Sequence, residues 1–146
     1  MNKGNKMKKI LLLTLPAILL CACEKVQQYT LNTDAFCVGL EETSTESVFC
    51  QDASGNPLNG LVVQYFEDGK VAREVTVKNG LENGLEREYY TNGNLKVSAT
   101  IKQGAPTGVS KLYHENGKVH MIIKWKDNKP DIRKIYDESG KLISKK

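Results

Sequence analysis

A short internal repeat constrains this chain more than any other feature. Gly60, Gly84 and Gly108 are evenly spaced along the sequence, and Asp131 takes the next equivalent place. Two further columns keep this spacing. They are a tyrosine five residues after each position and a glycine nine residues after it: Tyr65, Tyr89, Tyr113 and Tyr136, and Gly69, Gly93, Gly117 and Gly140. A fixed period of this kind is the signature of a repeat architecture.

Each repeat alternates apolar and polar side chains with the two-residue period of a β-strand. One such apolar set comprises Leu95, Val97, Ala99 and Ile101, and the next comprises Val119, Met121, Ile123 and Trp125. A period of two places each set on one face of a sheet. Asp-Gly and Asn-Gly pairs, as at Asp68-Gly69 and Asn92-Gly93, separate the strands and favour hairpin turns. The unit is therefore strand, tight turn, strand, turn.

The fold class that follows is all-β, built from repeated antiparallel β-hairpins over residues 34–146. Stacked hairpins form a ribbon or meander in which each unit covers its neighbour, because one hairpin alone is only marginally stable in water. Helix has little support after residue 23. The last repeat is short and ends in Ser144-Lys145-Lys146, which suits a charged cap on the final edge strand.

The repeated segments QYFEDGKVA, EYYTNGNLK, LYHENGKVH and IYDESGKLI resemble the bacterial variant of the MORN repeat, over roughly residues 56–146. In that family a tyrosine, a few polar residues and an Asn/Asp-Gly-Lys-Leu turn recur, with a second glycine before the next strand. Such proteins are commonly called YwqK-type antitoxins. The chain lacks the denser Gly-x-Gly columns of the eukaryotic pattern, so the resemblance does not extend to phospholipid binding.

The N-terminus is typical of an exported lipoprotein. Residues 1–9 carry four lysines and no acid, and residues 10–20 form an uncharged apolar run of eleven residues. These are the n-region and h-region of a secretory signal, and the run is shorter than the roughly 20 residues that span a bilayer. The sequence thus predicts a signal peptide over residues 1–22.

The residues around the predicted cut, Leu20-Cys21-Ala22-Cys23, resemble a bacterial lipobox. The resemblance implies a diacylglycerol thioether on Cys23 and acylation of its new amine, which together anchor a protein stably in a membrane. Cys21 fits worse as the modified residue, because Leu20 is too large for the position before the cut. The residue two after Cys23 is Lys25 and not aspartate, which favours the outer membrane over the inner membrane in a two-membrane cell.

Between the anchor and the repeats, residues 23–33 are interpreted as a flexible tether and residues 34–58 as a poorly matched leading unit. Cys37 and Cys50 lie in this unit. In an oxidising compartment an even pair of cysteines indicates a disulfide, and a closed loop of about 14 residues stabilises by about 3 kcal/mol. The alternative is two buried thiols in a small hydrophobic cluster. No histidine is near in sequence, so no metal site is expected.

Removal of the signal peptide changes the charge. Lys+Arg falls from 21 to 17 while Asp+Glu stays at 17, so the mature chain is formally neutral and nucleic acid is not expected as a partner. Residues 23–90 hold 5 bases and 12 acids, whereas residues 91–146 hold 12 bases and 5 acids. This asymmetry is either a solvated surface or a means of steering the protein toward a charged partner.

Residues that carry enzyme chemistry do not converge in this sequence. His114 and His120, six residues apart across a turn, are expected at the surface or at a strand edge. The chain has no phosphate-binding loop, no zinc-ligand spacing and no nucleophile elbow, so we expect no catalytic residues, no enzyme activity and no cofactor. The tyrosine column is either packing along the stack or an exposed aromatic binding face. Trp125 is expected in the core.

Two functions are compatible with these features. One is a membrane-tethered repeat surface that binds another protein, either a toxin or an envelope protein. The antitoxin resemblance and the predicted export together indicate a more specific version of this binding function. The protein would then be an immunity-type protein that blocks a toxin at the envelope. The other is a structural envelope lipoprotein without a dedicated ligand.

Overall fold

The computed structural model describes residues 27–38 and 49–146. These residues form eleven strands and no helix, which confirms the all-β prediction. The predicted signal peptide and the lipidation site at Cys23 lie outside the described residues. The strands are β1 (Gln28–Thr30), β2 (Phe36–Val38), β3 (Phe49–Gln51), β4 (Gly60–Tyr65), β5 (Val71–Lys78), β6 (Leu81–Tyr89), β7 (Leu95–Lys102), β8 (Ala105–Tyr113), β9 (Val119–Lys126), β10 (Lys129–Tyr136) and β11 (Leu142–Lys145).

The strands belong to one sheet. From β4 to β11 each strand pairs antiparallel with the next one in sequence, as a meander of hairpins requires. At the other edge β1 pairs in parallel with β4. The β2–β3 hairpin lies off this path and joins it where Phe49 of β3 pairs with Leu81 of β6. The described residues contain no helix that has the length and apolar character needed to cross a membrane.

Two kinds of turn alternate along the meander. The short turns, Asn79-Gly80, Gln103-Gly104 and Asp127-Asn128, have positive φ at both residues, which is the type I′ geometry that matches the twist of the flanking strands. The longer turns span residues 66–70, 90–94, 114–118 and 137–141. In each, the first residue donates its N–H to the carbonyl oxygen of the last, as Tyr90 does to Asn94 at 2.8 Å.

The pairing register shifts directly before every tyrosine of the repeat column, between Gln64 and Tyr65 and at the three equivalent places. Such bulges increase the local twist of a sheet. Gly84, in the first glycine column, also has a steric reason to be glycine. At Gly84, φ is +142°, and a Cβ atom there would lie 2.8 Å from Cβ of Thr76. A glycine at this point lets β6 approach β5 closely.

The best-buried apolar cluster lies at the β1–β5 end of the sheet and comprises Ala35, Cys50, Leu58, Val62, Val75 and Val77. A disulfide joins Cys37 to Cys50, which are directly paired between β2 and β3. It closes a loop with a sequence separation of 13 residues and holds the β2–β3 hairpin at this cluster.

The flexible tether was predicted to extend to residue 33, whereas the sheet begins at Gln28. Tyr29 pairs with Val62, and the Leu31 N–H donates to the Val63 carbonyl oxygen at 2.8 Å. Tyr29 and Leu31 also pack against the buried cluster. Because Tyr29 and Leu31 pack against this cluster, the segment is part of the sheet even though the residues around it in the sequence are mostly polar.

Candidate functional site

Two unbroken rows of cross-strand partners define the two faces of the sheet, because directly opposed residues share a face. The outer face contains the row Thr30, Val63, Glu74, Arg87, Ser98, Lys111, Ile122, Lys134 and Lys145. The inner face contains the row Gln64, Arg73, Glu88, Val97, Leu112, Met121, Ile135 and Ser144.

The charge on the outer face is balanced at one end and positive at the other. Near β5 and β6, Arg87 is 2.8 Å from Glu74, and the Tyr89 hydroxyl donates to the same carboxylate at 2.9 Å. The hydrogen bond to Glu74 raises the pKa of Arg87. Toward β11 the face carries four lysines that have no ion-pair partner among the described residues. We call Lys111, Lys124, Lys134 and Lys145 the lysine patch.

Apolar side chains lie among these lysines. Ile122 stands between Lys111 and Lys134 in the cross-strand row, and Val109, which is 50% exposed, pairs with Lys124. Lys134 and Lys145 are directly opposite each other on β10 and β11. Like charges in opposed positions destabilise a sheet, so the patch favours an anionic partner.

The inner face carries an ionic cluster among apolar residues. Arg73 lies 2.8 Å from Glu82 and 2.5 Å from Glu86, and Glu82 is 6% exposed. Burial opposes the charge on Arg73, but the two carboxylates attract it more strongly and raise its pKa. Buried charges persist when they are paired in this way. Because all three groups are engaged with one another, the cluster is structural.

The inner face becomes apolar toward the C-terminal end. Val97, Leu112 and Met121 follow one another across β7, β8 and β9 and are half-buried. Trp125, predicted to be in the core, is also half-buried, and its indole N–H donates to Oγ of Ser110 at 2.8 Å. Trp125 lines a pocket of about 240 Å³ beside the Gln103-Gly104 turn. The pocket walls carry no ionisable side chain.

Side chains of the longer turns donate hydrogen bonds to carbonyl oxygens of the following turn. Asn92 Nδ2 donates to the Glu115 oxygen at 3.0 Å, and Asn116 Nδ2 donates to the Glu138 oxygen at 2.8 Å. Lys118 Nζ donates in the same direction, to the Ser139 oxygen at 2.9 Å. We call this series the turn ladder. In the last turn Ser139 Oγ donates back to Asp137 of its own turn, so that turn closes on itself.

The tyrosine column fits neither sequence interpretation in full. Tyr65 is 39% exposed, and the other three members are half-buried. Tyr65 accepts a hydrogen bond from Nε2 of Gln28 at 3.1 Å, and the Tyr113 carbonyl oxygen accepts one from the Tyr90 hydroxyl at 2.7 Å. The column therefore links neighbouring units while part of its ring surface stays accessible.

The structure brings together two residues that the sequence pattern did not connect. His114 and His120 are half-buried, their ring centroids are 4.4 Å apart, and their nearest nitrogens are 3.2 Å apart. Both nitrogens face the carbonyl oxygen of Tyr136, at 3.0 and 3.2 Å. The sequence feature that could have indicated this contact is the position of the two histidines on either side of the Asn116-Gly117 turn. The described residues contain no group of three or more His, Cys, Asp and Glu side chains arranged to hold a metal ion.

Comparison with known families gives one match. The MORN repeat variant matches residues 58–79, 82–103 and 106–127. The first segment contains the whole β4–β5 hairpin, and the other two contain the β6–β7 and β8–β9 hairpins except for the first residue of β6 and of β8. The fourth predicted unit, residues 130–146, folds as the β10–β11 hairpin outside these matches. A search of curated proteins and of solved structures finds no match. Residues 58–127 of this chain therefore carry three consecutive repeats of the MORN variant type.

Proposed function

We propose that this protein is a membrane-tethered lipoprotein whose repeat sheet binds another protein, as an immunity-type antitoxin that blocks a toxin at the cell envelope. MORN repeats are consistent with a protein-binding repeat surface. The observation that carries the proposal is the lysine patch on the outer face of β8–β11, with Ile122 and Val109 among its four lysines. No enzyme activity is part of this proposal.

The chemistry of the patch selects an acidic protein surface as the partner. Unpaired lysines steer an acidic partner toward the sheet and increase the association rate. Exposed apolar side chains such as Val109 supply the contact area that is desolvated at the centre of a protein interface. The inner face offers less to a partner at its β5–β6 end, because Arg73 is already paired with two carboxylates.

The proposed anchor precedes, in the sequence, the strand at the opposite edge of the sheet. Cys23 precedes β1 by five residues, and five residues span at most about 18 Å when fully extended. Strand β1 lies at one edge and β11 at the other, eight strand spacings away, or up to about 38 Å at about 4.8 Å per spacing. A lipid on Cys23 would hold the β1 edge close to the membrane and leave the lysine patch accessible to a partner.

Toxin neutralisation tests the binding function directly. The full chain is expressed beside candidate toxins encoded near its gene, and growth and copurification of the toxin are measured. We expect one toxin to be neutralised by the wild-type chain and not by the Lys111→Glu/Lys134→Glu variant. Lys102→Glu, an exposed lysine outside the patch, is the matched control and should neutralise normally. If no toxin is neutralised and none copurifies, the antitoxin role is wrong and a structural envelope role remains.

The anchor has a separate test. Cells are labelled with radioactive palmitate, and their membranes are separated on a density gradient. We expect label on the wild-type chain in the outer-membrane fraction, and neither label nor membrane association for Cys23→Ala. Cys21→Ala should be labelled as the wild type is. An unlabelled wild-type chain would show that the tether is wrong.

A further inference from the structure

We propose that His114, His120 and the main-chain carbonyl oxygen of Tyr136 bind a divalent transition-metal ion, with Cu²⁺ bound more tightly than Zn²⁺. The proposal is independent of the membrane anchor and of the partner protein. It uses two imidazole nitrogens and one carbonyl oxygen from three different segments: the turn after β8, strand β9 and the end of β10.

The three donor atoms form a nearly equilateral triangle. Its edges are 3.2 Å between His114 Nε2 and His120 Nδ1, 3.0 Å between His114 Nε2 and the Tyr136 oxygen, and 3.2 Å between His120 Nδ1 and that oxygen. Ligands held about 2.1 Å from one ion lie about 3.0 Å apart at octahedral angles and about 3.4 Å apart at tetrahedral angles. The observed edges fall in this interval, so one ion can contact all three atoms.

Hydrogen bonds can use at most two of the three edges of this triangle, because each proton serves one edge. Each imidazole nitrogen either carries a proton or accepts one, and the carbonyl oxygen only accepts. Because the three edges are nearly equal, the Tyr136 oxygen and His120 Nδ1 lie in well-separated directions from His114 Nε2, and one proton there cannot point at both. Hydrogen bonds weaken steeply away from linearity. A single ion bound to all three atoms would instead use one lone pair from each, with neither of these nitrogens carrying a proton.

The repeat itself does not require these histidines. In the preceding unit the equivalents of His114 and His120 are Tyr90 and Lys96, one full repeat earlier. The Tyr90 hydroxyl donates to the Tyr113 carbonyl oxygen at 2.7 Å, which is the contact that His114 makes with Tyr136 in the next unit. The histidine pair is thus a feature of the third unit, added to a contact that a tyrosine already provides.

The donor set indicates the class of metal. Imidazole nitrogens suit copper, zinc and nickel, and affinity for a given site rises to Cu²⁺ and falls again at Zn²⁺. The set is smaller than the four protein ligands of a structural zinc site, so water would complete the coordination. An ion here joins the β8–β9 turn to β10 and should make the last two units harder to unfold.

The test uses the full chain without a histidine tag, with Cys21→Ser and Cys23→Ser to remove free thiols, purified in detergent. Cu²⁺ and Zn²⁺ are titrated by calorimetry, and the Cu²⁺ complex is examined by electron paramagnetic resonance. We expect one ion per chain, superhyperfine coupling from two nitrogens, and a melting temperature that rises with metal concentration. Absence of binding up to millimolar metal, or coupling that does not come from two nitrogens, would overturn the proposal.

The matched control is His114→Tyr/His120→Lys, which converts the third unit to the pattern of the second. Its melting temperature in a chelator should equal that of the parent, and its affinity for Cu²⁺ should fall by more than about 100-fold, since even changes that touch only the ligands' neighbours cost about 10- to 100-fold. If the double variant does not fold, His120→Gln alone removes one donor and should lose one nitrogen from the spectrum. Unchanged affinity in either variant would contradict the site.

Discussion

Lys134 and Lys145 stand directly opposite each other on β10 and β11, and neither has an ion-pair partner among the described residues. Opposed charges of the same sign destabilise a sheet by roughly 0.2–1 kcal/mol, whereas opposite charges stabilise it by a similar amount. The final hairpin therefore carries an electrostatic cost that its sequence does not remove.

Lys145→Glu should stabilise the protein and weaken partner binding at the same time. We expect the melting temperature to rise by about 1–5 °C, because the substitution turns a repulsive pair into an attractive one. Calorimetry of the variant measures this change, with Lys102→Glu as the control that alters charge outside the patch. A lower melting temperature for Lys145→Glu would show that the lysines are not repelling each other.

The Asn116 side chain makes two hydrogen bonds that substitutions can separate. One lies within its own turn and the other belongs to the turn ladder. The side chain accepts the Lys118 N–H at 3.0 Å and donates to the Glu138 oxygen at 2.8 Å. Asn116→Ala removes both bonds and should lower the free energy of unfolding by about 1–2 kcal/mol. Asn116→Asp keeps the acceptor, as Asp68 does for Lys70, and should cost about half as much. Urea denaturation distinguishes the two; wild-type stability for Asn116→Asp would mean that the donated bond contributes nothing.

Gly84→Ala should destabilise more than Gly93→Ala, although both glycines have positive φ. A Cβ atom at Gly93 would have no atom within 4 Å, so that variant suffers backbone strain alone, of roughly 1–2 kcal/mol. At Gly84 the Cβ atom would also collide with Thr76 Cβ, at 2.8 Å. We expect at least about 1 kcal/mol more destabilisation there, measured by urea denaturation. Equal losses would rule out a close approach of β5 and β6.

The disulfide between Cys37 and Cys50 should stabilise the chain by about 3 kcal/mol, through the loop that it closes in the unfolded state. Cys37→Ala/Cys50→Ala should show this loss in urea denaturation, and the wild-type chain in a reducing agent should show nearly the same loss. Mass spectrometry of protein alkylated without reduction should leave both cysteines unmodified. Labelled thiols at these positions would refute the bond.

Acid should weaken the turns that are closed by aspartates. Hydrogen bonds from the Asn56 side chain lower the pKa of Asp52, those from Lys70 lower the pKa of Asp68, and that from the Ser139 hydroxyl lowers the pKa of Asp137.

A carboxyl whose pKa is lower in the folded state contributes its full stabilisation above the unfolded value of 3.8 and loses it as the pH falls through the lower folded value. The free energy of unfolding should therefore decrease from about pH 5 to about pH 2. Asp137→Ala should show a smaller decrease over this interval in urea denaturation at several pH values. An unchanged slope would mean that this turn does not contribute.

The hairpins were predictable because each is local. The turn glycines and the two-residue period mark every strand from β4 to β11, and these pairings join neighbours in sequence. The pairing of β1 with β4 was not predictable, since Tyr29 and Val62 are distant in the sequence and no local pattern connects them.

The site was less predictable than the fold because of the bulges. The pairing register also shifts between neighbouring hairpins, at Val75–Val77, Ser98–Thr100 and Ile132–Lys134, so the two-residue period does not carry from one hairpin to the next. Sequence alone could assign Lys111 and Lys134 to the basic end of the chain, but not to the same face. The Arg73 cluster and the histidine pair were missed for a related reason, because both depend on contacts between strands.

The turn ladder gives the array a direction. Asn92 and Asn116 each donate a hydrogen bond to the next turn toward the C-terminus, so a turn in the ladder accepts its hydrogen bond from the turn before it. A complete repeat cassette can therefore be deleted or duplicated between the first and last units, and the new junction reproduces the donors and acceptors of the old one. The terminal units cannot be exchanged in this way. The leading unit contains the Cys37–Cys50 disulfide, and in the last turn Ser139 donates to Asp137 of the same turn instead of to a following one. Recombination between repeats can thus lengthen or shorten the sheet without the design of a new core.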